Sequence, residues 1–517
     1  MRCTWKIQES DNQTVQILSE RLGTSLLVAR CLANRGITDE EHARHFLDPL
    51  LRNLSDPFLL PDMTCAVENL LNAHASGDGI TIFGDYDVDG VTATAILTEF
   101  FSKLGWNYLG SYLPLRMEEG YGLTEEGVHH CLELYPNTKL LIAVDCGSTC
   151  AKTIASLMEQ GVKVIVLDHH QIDDSDLPIP LAFVNPQRLT PNENITEEFI
   201  HNLQGLCSAG LAFKLAHAIL RRARTLGLPW GMNFDLKDVL DLVALGTIAD
   251  LVRLRGENRI FVDHGLRHIQ QTKRHGLREL ISVSHRNPDA LSVYDVSFYL
   301  APRLNAAGRI EDAQDALQLL TTEDPWKAQN LAHQLERMNQ ERKGLQNRIV
   351  QEVTDRVLRN FDPDRDYVIV EGSFEWHLGV VGIAAAQIAR QFNRPVIILG
   401  GNGQNWHGSC RSIEGFDMAA ALRECEELLL NHGGHSMAAG VDVELNKLEP
   451  FRKKINEVAR LKFTRDVPKP TLRLDSEVTI ADLSTDNLRN LLGLAPFGME
   501  NPPLAFVSRN PQHHLMP

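Results

Sequence analysis

The segment KVIVLDHH at residues 163–170 decides the fold and points to the chemistry. Its apolar part is a short run rich in Val and Ile, which is typical of a strand buried on both faces of a parallel sheet. Two further runs also end on an aspartate, GITIFGD at 79–85 and KLLIAVD at 139–145. We therefore predict an α/β fold built on a parallel sheet.

Acidic and imidazole side chains follow these strands. In open α/β sheets the carboxyl ends of the strands face the crevice where ligands bind. The side chains expected to share that crevice are Asp85, Asp87, Asp145, Asp168, His169 and His170. Packed carboxylates raise one another's pKa unless cations lie between them, so bound metal is the simplest explanation. Carboxylate and imidazole ligands without thiolate suit Mn²⁺, with Mg²⁺ as the alternative.

Each of these residues also has an ordinary structural interpretation. An aspartate after a strand more often caps a helix or forms a turn than binds a metal. Asp89 in GDYDVDG at 84–90 is either a ligand or a cap, and we favour the cap. Four such stretches occur in order, however, the others being AVDCGS at 143–148, LDHH at 167–170 and GTIADLV at 246–252. Together they favour a metal-dependent phosphoesterase.

The DHH triplet at the end of a strand, preceded by DYDVDG and VDCGS, resembles the DHH phosphoesterase superfamily. Further stretches narrow the resemblance: EGYGL at 119–123, LCSAGLAFKL at 206–215, ALGTIADLVRL at 244–254, APRLNAAGRI at 301–310, WHLGVVGIAA at 376–385, SCRSIEGFD at 409–417 and GGHSMAAG at 433–440. Together they resemble the RecJ-type single-stranded-DNA exonucleases from about residue 50 onward. The short pyrophosphatases and oligoribonucleases of the superfamily share the metal motifs and the GGH element but lack the PRLNAAGR stretch.

This resemblance implies a two-metal site. One ion would be held by Asp87, Asp145, His169 and Asp250, and a second by Asp85 with Asp145 shared. Two such ions activate a water and stabilise charge on the attacked phosphate. The resemblance also implies catalytic roles for Asp168, expected to orient His169, and for His170, expected to contact the scissile phosphate or the leaving group.

The resemblance further implies removal of nucleotides from a 5′ end. The candidate substrate-binding residues are Arg116, Arg303, Asn305, Arg309, His377, Ser409, Arg411 and His435. Surface ion pairing is the alternative for Arg116 and Arg303, and Leu115 stands where many relatives carry Asn. The glycines of GVVG and GGHSMAAG are either helix-start and packing residues or phosphate-binding ones. The resemblance favours phosphate binding.

We predict a parallel-sheet catalytic domain joined by a long helix to a smaller α/β DHH-associated domain, followed by a partial β segment that resembles an OB-fold. The predicted ranges are 1–50 for an N-terminal helical extension, 51–320 for the catalytic domain, 321–359 for the connecting helix, 360–462 for the second domain and 463–517 for the partial, apparently truncated barrel. The connecting helix is indicated by apolar residues at spacings of three, four or seven between Trp326 and Val357. At ~1.5 Å per residue it would span on the order of 50 Å and set the width of a cleft.

Charge and composition limit the classes of function. The net charge of −16 argues against a protein that coats nucleic acid by charge alone. The segment 451–473 carries eight Lys and Arg against two acids, which indicates a solvated helix face or a nucleic-acid patch; both interpretations remain open. The nine cysteines contain no C-x-x-C pair and are expected to be reduced. No membrane span or signal segment is predicted, so we expect a cytoplasmic protein. We also expect a monomer.

Three functions compete. The leading hypothesis is a 5′→3′ exonuclease that acts on single-stranded DNA in repair and recombination, with a single-strand-binding protein and a repair helicase as partners by family resemblance. A phosphodiesterase for dinucleotides or short oligonucleotides is disfavoured because such substrates need neither a long groove nor a strand-binding barrel. A non-catalytic single-strand-binding scaffold is disfavoured because every acidic and imidazole position is intact.

Overall fold

The computed structural model describes residues 3–116, 118–191, 196–362, 365–401, 403–463 and 469–509. The chain divides into two compact units. The larger comprises Ile7–Glu336 and Leu474–Pro517, and the smaller comprises Met1–Lys6 and Arg337–Arg473. The division falls within one long helix.

The strands are short, as expected for a mixed α/β protein. In chain order they are β1 (Thr4–Ile7), β2 (Gly79–Gly84), β3 (Tyr108–Tyr112), β4 (Thr138–Val144), β5 (Lys163–Leu167), β6 (Ala182–Val184), β7 (Ile369–Gly372), β8 (Val396–Gly401), β9 (Asn405–Arg411), β10 (Asn431–Gly434), β11 (Ala438–Glu444), β12 (Thr471–Leu474), β13 (Ser476–Glu477) and β14 (Phe506–Val507).

The helices surround and connect these strands. In chain order they are α1 (Asn12–Leu22), α2 (Leu26–Ala33), α3 (Glu40–Leu47), α4 (Met63–Ser76), α5 (Val88–Lys103), α6 (Glu125–Leu134), α7 (Ala151–Glu159), α8 (Glu197–Gln204), α9 (Ser208–Thr225), α10 (Leu240–Ala249), α11 (Gly256–Gln270), α12 (His275–Val283), α13 (Val293–Asp295), α14 (Ala301–Ile310), α15 (Gln314–Thr321), α16 (Pro325–Asn360), α17 (Leu378–Phe392), α18 (Met418–Arg423), α19 (Leu448–Lys462) and α20 (Thr485–Leu492). A π-helical turn, Val296–Leu300, joins α13 to α14.

The larger unit contains the predicted parallel sheet. Its strands lie in the order β3-β2-β4-β5-β6, and each neighbouring pair is parallel. Strand β2 is buried along its whole length, and β4 and β5 are buried except at one lysine each. This burial explains why their sequences are nearly continuous apolar runs. The carboxyl ends of β2, β4 and β5 therefore lie side by side at one edge of the sheet.

The smaller unit contains a mixed sheet in the order β10-β11-β9-β8-β7. Strands β7 and β8 are parallel and are connected by α17, whereas β9, β10 and β11 are antiparallel to their neighbours. Helix α19 packs Phe451 and Ile455 into the core of this unit. The described part of the basic segment 451–473 is mainly this helix, and its Lys462 pairs with Glu424. Those contacts agree with a solvated helix face; residues 464–468 lie outside the described residues.

The predicted long helix is confirmed as α16, which has 36 residues. The motif GGHSMAAG differs from one of its expected structures: it forms the turn between β10 and β11 and is not a helix start. The motif GVVG does lie in the first turn of α17. There a Cβ on Gly382 would approach the Ser409 Oγ to 2.9 Å, so this glycine allows close packing.

The C-terminal segment contains the predicted short strands. Strand β12 pairs with β1, and β13 pairs with β14 in parallel. Within residues 469–509 these strands form two-stranded ladders and not a closed barrel. Leu491 and Leu494 pack against the N-terminal helices. Asp475 and Arg35 form a buried ion pair, with 2.7 Å between the Asp475 Oδ1 and the Arg35 Nη1. The rest of the range predicted for the partial barrel, residues 464–468 and 510–517, lies outside the described residues.

Among the described residues, no single helix has both the length and the apolar composition needed to cross a membrane. One bent pair, Glu197–Gln204 with Ser208–Thr225, meets the criterion by length and composition alone.

Candidate metal centre and substrate contacts

Residues from several elements converge at the carboxyl edge of the parallel sheet. Asp85, Asp145 and Asp168 each follow the last residue of a strand, and Asp250 follows the last residue of α10. Three groups of side chains have ligand atoms that lie within 4.8 Å of one another: Asp85 with Asp87 and Asp145, Asp89 with His169 and Asp250, and Asp145 with His169 and His170. The structure thus brings together all the predicted metal ligands.

Helix N-termini orient two of the carboxylates. The Asp87 side chain caps α5 by accepting from the Asp89 and Gly90 amides at 2.8 and 3.2 Å. Asp89 accepts from the Ser208 and Ala209 amides at 2.6 and 2.9 Å, at the start of α9. Helix N-termini favour negative charge in this position. Our preferred assignment of Asp89 as the cap of its own helix is therefore wrong, because Asp87 is that cap and Asp89 serves α9.

Asp145 and Asp85 are almost completely buried. Asp145 has a left-handed backbone with φ of 63° and accepts from the Ser208 hydroxyl at 2.9 Å. The Asp85 Oδ1 atom is buried and has no hydrogen-bond partner among the described residues. Burial, reinforced by neighbouring carboxylates, raises the pKa of both groups far above the usual range. A buried carboxylate oxygen without a donor, beside other carboxylates, fits a cation as its missing partner.

His169 lies at the centre of the cluster. Its Nε2 atom is 3.3 Å from the Asp145 Oδ1 and 3.7 Å from both the Asp89 Oδ2 and the Asp250 Oδ2. Burial lowers the pKa of His169, so the ring is neutral, which is the form that binds metals. Burial and the Asp89 and Asp87 charges raise the pKa of Asp250 to about 9.

Asp168 orients His170, whereas the sequence led us to expect that it orients His169. Its Oδ1 accepts from the His170 Nδ1 at 2.7 Å, and its contact with His169 is only through the backbone amide at 2.8 Å. Burial favours a neutral His170 ring, but the hydrogen bond and charge of Asp168 raise its pKa to about 9. The same interactions lower the pKa of Asp168 below its usual range although burial opposes this. His170 is therefore a cation beside the cluster.

Two further residues complete this region and were not assigned from the sequence. The Tyr121 hydroxyl lies 3.0 Å from the His170 Nε2, and Ser208 bonds both Asp145 and Asp89. Both residues lie in motifs that we quoted, EGYGL and LCSAGLAFKL, but neither motif shows by itself which side chain reaches the site. The available signal for Tyr121 was its position between two glycines in EGYGL.

The predicted substrate residues of the larger unit fall into two groups. The Arg116 guanidinium lies 5.1 Å from the centre of the Tyr86 ring, and its charge offsets a small part of the rise that burial causes in the pKa of Asp85. The stretch PRLNAAGR lies within helix α14. The Asn305 Oδ1 accepts from the Val88 amide at 3.2 Å, and Arg309 lies near Tyr86. These three residues surround the Asp85–Asp87 loop.

Arg303 does not belong to that group. Its side chain is only 5% exposed, and it pairs with Glu336 at 2.5 Å and donates to the Tyr299 carbonyl at 2.6 Å. These contacts involve the Nε and Nη1 atoms of the guanidinium. The role of Arg303 in phosphate binding stays a prediction; in this structure its contacts fix α14 within the larger unit.

The remaining candidates lie in the smaller unit. Arg411 donates to the Ser409 Oγ at 2.9 Å, and its guanidinium packs on the first turn of α17 beside Gly382. The His377 Nδ1 caps α17 by accepting from the Gly379 amide at 3.1 Å. His435 lies in the exposed turn between β10 and β11. Ser409, Arg411 and the start of α17 thus form one polar cluster, and the binding roles of all four residues stay predictions.

Comparison with known proteins agrees with this geometry. The model of the DHH family, N-terminal domain, matches residues 79–247, and that of the DHHA1 domain matches residues 365–461. The single-stranded-DNA-specific exonuclease RecJ of Bacillus subtilis is 35% identical over 96% of this chain, which spans 60% of that relative's length. The RecJ of Salmonella typhimurium is 33% identical, with 93% of this chain and 83% of the relative covered.

Solved structures of RecJ proteins also resemble this chain. The crystal structure of RecJ in complex with Mn²⁺ from Thermus thermophilus is similar with a TM-score of 0.81 and 31% identity, covering 98% of this chain and 69% of that chain. The Mg²⁺ complex from the same organism has a TM-score of 0.74 and 28% identity, covering 97% of this chain and 67% of that chain. With its oxygen and imidazole ligand set, the protein uses a divalent metal. The chain belongs to the RecJ family of single-stranded-DNA-specific exonucleases, within the DHH phosphoesterases.

Proposed function

We propose that this chain is a 5′→3′ exonuclease that hydrolyses the phosphodiester bonds of single-stranded DNA with two divalent ions, Mn²⁺ being preferred over Mg²⁺. The observation that carries the proposal is the cluster of buried carboxylates and one neutral imidazole at the carboxyl edge of the parallel sheet. In this cluster Asp145 belongs both to the Asp85–Asp87 group and to a His169 group. That sharing supports a pair of neighbouring ions.

These groups support the predicted ligand sets. Asp87, Asp145, His169 and Asp250 would hold one ion, and Asp85 would hold the other with Asp145 shared; Asp89 lies close enough to His169 to contribute. Bound ions of this kind lower the pKa of a water and stabilise charge on the attacked phosphate. The protein's own residues keep His169 neutral and hold the carboxylates in place before the ions arrive.

His170 has the properties of a second participant. Asp168 raises the pKa of His170 to about 9 and fixes its ring, which favours the doubly protonated imidazolium with a positive N–H group beside the metal ligands. We assign it to the scissile phosphate or the leaving oxygen. Arg116, Asn305 and Arg309 are assigned to the substrate near the Asp85–Asp87 loop. His377, Ser409, Arg411 and His435 are assigned to the 5′-terminal phosphate.

The cellular role follows from the family. We infer action in DNA repair and recombination, with a single-strand-binding protein and a repair helicase as partners, in the cytoplasm and as a monomer. The domain boundaries at about residues 50, 320, 359 and 462 are part of the same proposal. The matches of the DHH and DHHA1 models to residues 79–247 and 365–461 support the second and fourth of these domains.

The test is digestion of single-stranded and duplex oligonucleotides labelled at either the 5′ or the 3′ end, with Mn²⁺, Mg²⁺ or EDTA. We expect early release of the 5′ label from single strands, none in EDTA, and a higher rate with Mn²⁺. The dinucleotide pApA separates this activity from a small-substrate phosphodiesterase. Early release of the 3′ label, or equal digestion of duplex and single strand, would contradict the proposal.

A further inference from the structure

The chain turns sharply directly after Asp250, the last of the proposed metal ligands along the sequence. Leu251 has a left-handed backbone with φ of 57°, and its side chain is 61% exposed, so burial of that side chain does not explain the turn. A bulky residue in this conformation is strained and persists only where the surrounding structure holds it. The contacts of the next few residues therefore help to fix the direction of the Asp250 carboxylate.

Those contacts come from a loop that lies far away in the sequence but in the same unit. Residues 494–502, called the C-terminal loop below, lie against residues 251–255. The Leu254 amide donates to the Met499 carbonyl at 3.0 Å, and the Leu254 side chain is buried. A Cβ on Gly498 would come within 2.6 Å of the Leu254 Cδ1, so the two segments pack as closely as a glycine allows.

An ion-pair network joins the same two segments. The Glu500 carboxylate pairs with the Nε atoms of Arg253 and Arg255, each at 3.2 Å. Because the two arginines flank Leu254, a single carboxylate holds both sides of this residue. The three charged side chains are 27% to 40% exposed, so the pairs support the backbone and packing contacts and do not replace them.

The C-terminal loop is itself fixed by buried hydrogen bonds. Asn501 is completely buried, and its Nδ2 donates to the Leu494 and Pro496 carbonyls, both at 2.8 Å. The Asn501 Oδ1 accepts from the Arg35 Nε at 2.7 Å. Arg259, also buried, donates to the same two carbonyls at 3.2 and 3.3 Å. The loop is therefore anchored in the larger unit and is a preformed support for the segment that follows Asp250.

We propose that the C-terminal loop positions Asp250 for the metal ion, with Gly498, Met499 and Glu500 as the positioning residues. The inference rests on the proposed function, because it takes Asp250 as a ligand of the catalytic ions. The sequence resemblance placed these residues in a partial strand-binding barrel. The contacts of the C-terminal loop give it a different role, since they end on the segment directly after a metal ligand.

The electrostatics of the metal-free centre explain why such a support is needed. Asp250 lies among other carboxylates, and like charges at this distance repel one another. Without a support, the segment after α10 would relieve this repulsion by turning the carboxylate away. Contacts that hold a ligand in place raise metal affinity, because the apparent affinity falls with the fraction of molecules in the binding-competent arrangement. Loss of the support should therefore weaken metal binding and be overcome by excess metal.

The test measures Mn²⁺ binding by calorimetry for the full chain and for Gly498→Ala, Glu500→Ala and the double variant. Gly498→Ala pushes a methyl group against Leu254, and Glu500→Ala removes both ion pairs. The double variant should bind Mn²⁺ ~10-fold more weakly than the parent, with the single variants in between. Its affinity for a labelled single strand in EDTA should not change, and saturating Mn²⁺ should restore the parent's kcat.

Two controls separate positioning from general stability. Glu68→Ala removes an ion pair of similar exposure, that with Arg222 in the same unit, and should leave Mn²⁺ affinity unchanged. In an Asp250→Asn background the double variant should cause no further loss of Mn²⁺ affinity, because the C-terminal loop acts through Asp250. If the double variant does not fold, Glu500→Ala alone decides, since its side chain is 40% exposed.

Three results overturn the inference. The first is an equal Mn²⁺ affinity of the parent and the folded variants. The second is a loss of the same size in the Asp250→Asn background, and the third is weaker strand binding in EDTA with unchanged Mn²⁺ affinity, which would assign the loop to the substrate. A parent that binds no Mn²⁺ overturns the proposed function instead.

Discussion

Replacing Asp250 by Asn should stabilise the metal-free protein. Asp250 lies among Asp87, Asp89 and Asp145, and burial with the neighbouring charges raises its pKa to about 9. In the unfolded chain an aspartate has a pKa of ~3.9. Because the folded pKa is raised, the contribution of Asp250 to stability is fully present below pH 4 and is lost as the pH rises toward 9.

The magnitude follows from the pKa difference. At pH 7 the folded protein must hold a proton on Asp250 that the unfolded chain has released, which costs up to ~1.4 kcal/mol for each unit between pH 3.9 and 7, or ~4 kcal/mol. The neighbouring carboxylates share this penalty, so the gain from an amide will be smaller, about 1–3 kcal/mol. For a unit of several hundred residues, each kcal/mol shifts the melting temperature by ~1–2 °C.

Thermal unfolding in EDTA between pH 5 and 9 tests this. Asp250→Asn should melt ~2–5 °C above the parent at pH 7, and the difference should shrink toward pH 5. Added Mn²⁺ should raise the melting temperature of the parent more than that of the variant, because the variant lacks one ligand. Asp486→Asn, which removes an exposed carboxylate of the same unit, should have no effect. A variant that melts below the parent in EDTA, or a difference independent of pH, refutes the reasoning.

Three other changes have distinct outcomes. Asp145→Ala should abolish hydrolysis while the protein stays folded, and Mn²⁺-dependent activity that persists in a folded variant would exclude Asp145 as the shared ligand. Arg411→Ala should weaken binding of 5′-phosphorylated ends about tenfold to a hundredfold, since charge-assisted contacts contribute ~1.5–3 kcal/mol, and leave 5′-hydroxyl ends unchanged in a binding assay. Arg303→Ala should destabilise the larger unit by ~3–5 kcal/mol, because it removes a buried ion pair with Glu336 and a hydrogen bond to the Tyr299 carbonyl. A variant that keeps the parent's melting temperature but loses affinity for the 5′-phosphate would instead support the predicted role in phosphate binding.

Much of the fold could be predicted from local sequence. Strands buried on both faces require continuous apolar runs, so β2, β4 and β5 were predicted within one residue at each end of the apolar part. The long amphipathic pattern likewise predicted α16. The structure of GGHSMAAG was not predictable in this way, because glycines permit both a helix start and a hairpin turn, and the choice depends on the pairing of β11 with β9.

The metal centre was predictable because its residues follow strands whose ends must meet. The partners of these residues were not. Asp168 bonds His170 and not the His169 ring, and Asp89 caps a helix that begins 119 residues later in the chain. Arg303 illustrates the same limit: a sequence shows its charge but not its distance of 2.5 Å from Glu336 or its burial. Long-range contacts decide each of these roles.

The arrangement of hydrogen bonds in the cluster explains how it exists before an ion binds. Asp87 and Asp89 accept hydrogen bonds from backbone amides at the starts of α5 and α9, respectively. Asp145 accepts a hydrogen bond from the Ser208 hydroxyl. These donors offset part of the mutual repulsion and fix the carboxylates at the same time. Asp85 keeps one buried oxygen without a donor among the described residues. A cation bound beside Asp85 would therefore supply the partner that this buried oxygen lacks, within the same cluster where hydrolysis is proposed.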